Sequence, residues 1–282
     1  MPTLSPSLKA LIKAPFAHPN PAAPPKALGD VYRSIARDAA QRHIGMRPWL
    51  TLSAAATVTL NSPGGLAVLH RVASEYHSGH EIQAAELIRE VGLKCITFIG
   101  VPRIINCLNS FRADLPASVA SQLSTRATRT VPLTTAAMVS EQARGRQLWD
   151  SVYAALADKL VAKLALAHPD LPIHIIGCHY APLLSDPQDS GGGTGEVART
   201  GKVLTEVAAV ASLRATQGVG PQVLSHVYGL QKAWEDESWR EGWVGDEAVA
   251  RWLTGSEGCE WILEKVDGIM HVFAGGNPGP NL

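Results

Sequence analysis

From Leu28 onward, apolar residues recur every three to four positions, the period of a helix with one buried face. Val31, Ile35 and Ala39 form such a face, with Arg33, Arg37 and Asp38 turned elsewhere. The pattern predicts further helices over 49–60 and 65–77, separated by the turn Asn61-Ser62-Pro63-Gly64, then over 81–95 and 102–111. A long helix is expected from about Ala137 to Ala167, stopped by His168-Pro169, with Leu148, Val152, Leu156, Leu160 and Leu164 along its apolar face. Later helices are expected over 203–215, 221–234, 246–253 and 257–270. Residues 173–176 (Ile-His-Ile-Ile) fit either a short strand or a buried helical turn, which periodicity alone does not separate. Strands have almost no other support, so the expected class is all-α.

Punctuation divides the chain. Residues 1–27 form a Pro-rich arm; the first 29 residues hold seven prolines, three lysines and no acid, and are expected to be extended. Residues 112–137 are poor in large apolar groups and read as a linker or loosely helical bridge. Pro187 to Gly195 reads as a flexible glycine-rich loop, and 274–282 as a polar tail. Thr51–Leu60 (TLSAAATVTL) echoes Thr205–Leu213 (TEVAAVASL), each followed by a glycine turn and another helix, as in a duplicated unit. The expected division is a first helical unit over 28–136 and a second over 137–273.

Composition narrows the class. Lys plus Arg (25) equals Asp plus Glu (25), which argues against nucleic-acid phosphates or anionic lipid as what holds the protein, so no nucleic acid and no membrane is expected as a partner. The longest uncharged run, between Arg47 and Arg71, is interrupted at Asn61–Gly65 and is not a membrane span. Four widely spaced cysteines make no disulfide scaffold. The expectation is a soluble intracellular protein, cytoplasmic by default. The alternatives are mitochondrial, from the basic arm, or peroxisomal, from the terminal Pro-Asn-Leu.

The candidate chemistry lies in Thr205–Ala233, where an alanine-rich helix meets Gly218-Val219-Gly220-Pro221 and a second helix carries Gln222 and His226 four residues apart. Those two share a face, Gly229 permits a close approach, and Pro221 marks a first helical turn whose partial positive charge favours anions. This stretch resembles the carboxymuconolactone decarboxylase/AhpD-like superfamily, in which an alanine-rich helix precedes a helix bearing an acid or cysteine, three residues, then histidine. Glu90-Val91 followed by Phe98-Ile99-Gly100-Val101-Pro102 is similar to that superfamily's closing helix pair. The resemblance implies two AhpD-like helical units forming one compact helical protein, and assembly as a homo-oligomer.

The departures shape the functional expectation. In the Cys-x-x-Cys-x-x-x-His signature of the peroxidase branch, the matching positions here are Val219, Gln222 and His226, so both thiols are missing. AhpD-type peroxidase activity needs both and is excluded. The family's glutamate is matched one residue out of step by Glu206, which sits on an apolar face (Val203, Val207, Val210) with Arg214 two turns on; a partly exposed helix position is the expected reading, a buried proton-transfer acid the alternative. The decarboxylase branch implies His226 as general acid or base, Gln222 and Glu206 beside it, and Arg214 with Gly229 receiving a small carboxylate or lactone. No cofactor or metal is expected. The alternative is a non-catalytic oligomeric binding or scaffold protein, its ancestral site decayed and His226 satisfied inside the core. A lone-cysteine thiol peroxidase ranks last. The groups His77, His80, Glu81 and His174, Cys178, His179 have spacings that could suggest metal but read better as turn and core residues. The late tryptophans, Trp234, Trp239, Trp243, Trp252 and Trp261, form either a folded cap or a self-association surface.

Overall fold

The computed structural model describes residues 3–129, 133–187 and 198–275, and every regular element among them is helical. In chain order the α-helices are α1 (Pro6–Ile12), α2 (Leu28–Gln41), α3 (Met46–Thr59), α4 (Pro63–Tyr76), α5 (Glu81–Lys94), α6 (Ile96–Ile99), α7 (Val101–Asp114), α8 (Ala117–Ala120), α9 (Thr135–Tyr153), α10 (Ala157–Ala167), α11 (Leu171–His174), α12 (Gly201–Thr216), α13 (Gly220–Glu235), α14 (Glu247–Thr254) and α15 (Ser256–Phe273). No helix among the described residues is long and apolar enough to cross a membrane.

Two helices form the axis of the molecule, and their composition explains why. α3 is buried on every side from Pro48 to Thr59, and α12 from Lys202 to Leu213. Their alanines, serines and threonines let the backbones approach closely where bulkier side chains would hold them apart. They pack on one another, with Thr59 Oγ1 and Ser212 Oγ 2.8 Å apart. α5 packs on α3 and α15 on α12; α2 covers α4, and α9 covers α13. A single hydrophobic core runs from Leu28 to Val272 and draws on both sides of position 137, while a smaller cluster of Trp149, Val152, Ala157, Tyr180 and Leu184 lies under α9.

Several local expectations change. The long helix expected over 137–167 is broken: α9 ends at Tyr153, and Ala154 takes φ 46°, ψ −126°, a conformation that an L-residue adopts only under strain. A 3₁₀ turn (Ala154–Leu156) then leads into α10, which leaves Leu156 and Leu166 exposed. Residues 173–176 are helical, not strand, and run into a π-helix over Ile175–Leu184. Pro182, without an N–H, sits inside that wider coil, and Ser185 N donates to Tyr180 O five residues back. In the expected linker, α7 extends to Asp114 and α8 follows. The glycine loop beyond Pro187 and the tail beyond Gly275 lie outside the described residues. The N-terminal arm is not wholly extended, since the seven residues of α1 fit between Pro6 and Pro15.

Candidate functional site

The start of α12 is held from three directions. The Asp186 carboxylate accepts from the backbone N–H groups of Thr200 (3.2 Å) and Gly201 (2.7 Å), supplying the anion that a helix N-terminus favours. Gly201 has φ +61°, and a Cβ there would lie 2.3 Å from the Glu241 carbonyl oxygen, so glycine is required. Lys202 N donates to that same carbonyl at 3.0 Å. Lys94, fully buried, donates to Asp186 (2.9 Å), to Thr205 Oγ1 (3.2 Å) and to the Leu184 carbonyl.

This clamp fixes the first turns of α12, where Lys202 and Glu206 stand four residues apart on a buried face. Lys202 Nζ donates to Glu206 Oε1 at 2.9 Å and to Ser151 Oγ of α9 at 2.8 Å. The other carboxylate oxygen, Oε2, is 2.8 Å from His226 Nδ1 on α13. Glu206 is 1% exposed and His226 5% exposed. Burial by itself pushes the Glu206 carboxyl up, but the charges of Lys202 and His226 and their hydrogen bonds outweigh it and hold the group at about 2. An ionised carboxylate only accepts, so the proton in the bond with His226 sits on Nδ1. In the neutral ring the free lone pair then lies on Nε2, which makes no hydrogen bond to any described residue.

Aromatic rings surround the imidazole. Phe98 meets it edge-on at 5.9 Å and Tyr153 at 6.4 Å between ring centroids. The Tyr153 hydroxyl lies 3.3 Å from that of Tyr180. Burial raises the Tyr153 hydroxyl and the negative Glu206 adds to it, against the opposing bond to Tyr180, so the group is kept as a neutral donor. Gly229 lets α13 approach: a Cβ there would lie 3.0 Å from Val152 Cγ1 and 3.1 Å from Glu206 Oε2.

The structure therefore joins three of the five residues singled out in the sequence, His226, Glu206 and Gly229. Gln222 is exposed in the first turn of α13, where the face it shares with His226 leaves the core. Arg214 does not reach Glu206; it forms a two-pronged pair with Asp267 of α15, both bonds 2.7 Å, at the far end of α12. The partner of Glu206 is Lys202, one turn back instead of two turns on. Lys202, Ser151 and Tyr153 were not sequence candidates, and Phe98 entered only within the stretch similar to the family's closing helix pair. The i,i+4 Lys-Glu spacing inside an apolar helix was a readable signal for the first, and nothing local marked the others.

Other expected groupings resolve plainly. His77 stacks on Trp49, and His80 contacts the Ser78 carbonyl. Among the described residues no group of three or more His, Cys, Asp or Glu side chains is placed to hold a metal ion. Burial pushes the Cys95 and Cys107 thiols up to about 12 and Cys259 to about 11, while exposed Cys178 lies 3.4 Å from His174 Nδ1. The tryptophans turn inward: Trp239 and Trp261 are buried, Trp234 stacks on Trp239, and Arg240 and Arg251 cover the outer faces. Cavities of about 560 Å³ beside Arg251 and Trp252, and about 450 Å³ beside Arg89 and Arg129, lie away from His226. No family model, no curated protein and no solved structure matches this chain.

Proposed function

We propose that Glu206 and His226 form a proton-transfer site acting on a small carboxylate or lactone, in a decarboxylase-like protein of the AhpD type that uses no thiols. The observation that carries this reading is the 2.8 Å bond between His226 Nδ1 and Glu206 Oε2. It fixes the tautomer, leaves the Nε2 lone pair as the base, and stabilises the imidazolium formed once a proton is taken. Lys202 keeps Glu206 ionised and so acts as a positioning residue. Tyr153, whose ring packs edge-on against the imidazole, keeps its hydroxyl neutral and hydrogen-bonded with Tyr180. The two-unit description belongs to this proposal. It is supported by the sequence echo, which falls on α3 and α12, and by α2 packing on α4 as α9 packs on α13. Homo-oligomeric assembly follows from the same family reading, and sedimentation of the full chain tests it.

A second reading has its own observation. Neither described cavity touches His226, and Phe98 and Tyr153 pack against the ring, as in a satisfied core network. Release of CO₂ from a panel of small β-keto and lactone acids separates the two. In the catalytic reading, His226→Ala ends turnover and leaves a cooperative thermal unfolding transition. In the structural reading, wild type turns over none of them and the substitution costs stability alone.

A further inference from the structure

The geometry points to the N-terminal arm as a docking segment for an anionic lipid surface. Helix α1 buries none of its residues, although Leu4, Leu8, Leu11 and Ile12 are 44–65% exposed. At 100° per residue Leu8, Leu11 and Ile12 fall within one arc of about 100°, and Lys9 and Lys13 fall on the opposite side. Phe16, 80% exposed, extends the apolar stripe past the end of the helix. Ser5 caps the helix by accepting from Leu8 N at 3.2 Å, and no residue of α1 is buried.

The arm joins the body further on, where Ala22 N donates to Asn61 O at 2.9 Å and Pro24 packs against Gly64. Before that anchor, every residue of α1 is exposed. Charge decides the occupant. The zero net charge of the whole chain conceals a first stretch of 29 residues with three lysines and no acid, and a helix with an apolar face and a cationic flank matches the boundary of an anionic leaflet. Apolar side chains enter the headgroup region while Lys9 and Lys13 stay among the phosphates.

Flotation of the full chain with vesicles tests this, comparing phosphatidylcholine alone with an equimolar mixture of phosphatidylcholine and phosphatidylglycerol. Two lysines at the surface give an expected preference for the mixed vesicles of roughly thirtyfold at low salt, falling as salt is added. Leu8→Glu with Leu11→Glu should abolish binding, and Lys9→Gln with Lys13→Gln should reduce it to the level of neutral vesicles. Both pairs should leave the thermal unfolding midpoint unchanged, because α1 buries no residue. Equal binding to the two vesicle types, binding that survives the glutamates, or binding to neither would overturn the inference. So would a concentration-dependent dimer, lost in the Leu8→Glu/Leu11→Glu chain, with no vesicle binding, since that assigns the stripe to a second copy.

Discussion

At the scale of single residues, the site is governed by the cost of placing charge in a dry interior. Glu206 is tolerated because Lys202 and His226 surround it, and its ionisation sets the histidine tautomer. Removing one partner is therefore far worse than removing the pair. Lys202→Met should destabilise the fold by about 3–5 kcal/mol, because it strips Glu206 of its nearest cation. Adding Glu206→Leu to that variant should recover most of the loss, and a double-mutant cycle in denaturant measures it. Recovery of none of it would mean that the charges contribute little to one another. His226, Glu206 and Gly229 stood out through the family resemblance and their spacing, but Glu206 was expected to be partly exposed and is instead buried, because Lys202 one turn back supplies the charge that register on an apolar face did not reveal. Arg214 misled, because register along α12 did not show that α15 offers Asp267 at that end.

At the scale of elements, α12 and α13 are brought together by a glycine and fixed by a clamp. Gly229 removes the side chain that would separate the helices at Glu206. Gly229→Ala gains helix propensity of up to ~1 kcal/mol but presses on a carboxylate already pinned by two partners. The expected net outcome is a loss of about 1 kcal/mol with a longer Glu206–His226 contact; a more stable variant with an unchanged contact would show that the approach is not tight. Helix positions were legible from the 3.6-residue period because most helices bury one face. The break at Ala154 was not, since alanine is the best helix former and nothing in the text signals a left-handed residue there. The π-helix was equally hidden. A Pro inside an apolar run reads as a terminus unless the coil widens to accommodate it.

At the scale of the whole molecule, the all-α architecture followed from patterning, and the main core draws on both sides of residues 112–137. Linker-like composition at 112–137 suggested separation, but the alanine-rich helices on either side of it are the two that pack at the centre. The buried charges also give the molecule an acid-labile term. The folded-state pKa of Glu206, about 2, is below its ordinary 4.5, so its contribution is present above pH 4.5 and is lost as pH falls toward 2. That difference corresponds to roughly 3 kcal/mol. Asp186, 20% exposed, and Asp38 are shifted in the same direction, each against the upward push of burial: Asp186 by Lys94 and backbone donors, Asp38 by its bonds to Lys265, Trp261 and Arg42. Thermal unfolding should thus occur at progressively lower temperature across that window, and Glu206→Gln should flatten the decline. A decline of unchanged slope in the variant would locate the acid sensitivity elsewhere.

The most direct test of the proton-transfer claim is solvent-deuterium exchange at the α-carbon of small lactones and keto acids, followed by proton NMR. The measurement reads proton abstraction whether or not a later bond breaks. Wild type should exchange these protons well above the buffer rate, Glu206→Gln should slow the exchange by ~10²-fold or more, and His226→Ala should return it to the buffer rate while remaining folded. No exchange by wild type with any of these probes, or exchange undiminished without the imidazole, would contradict it.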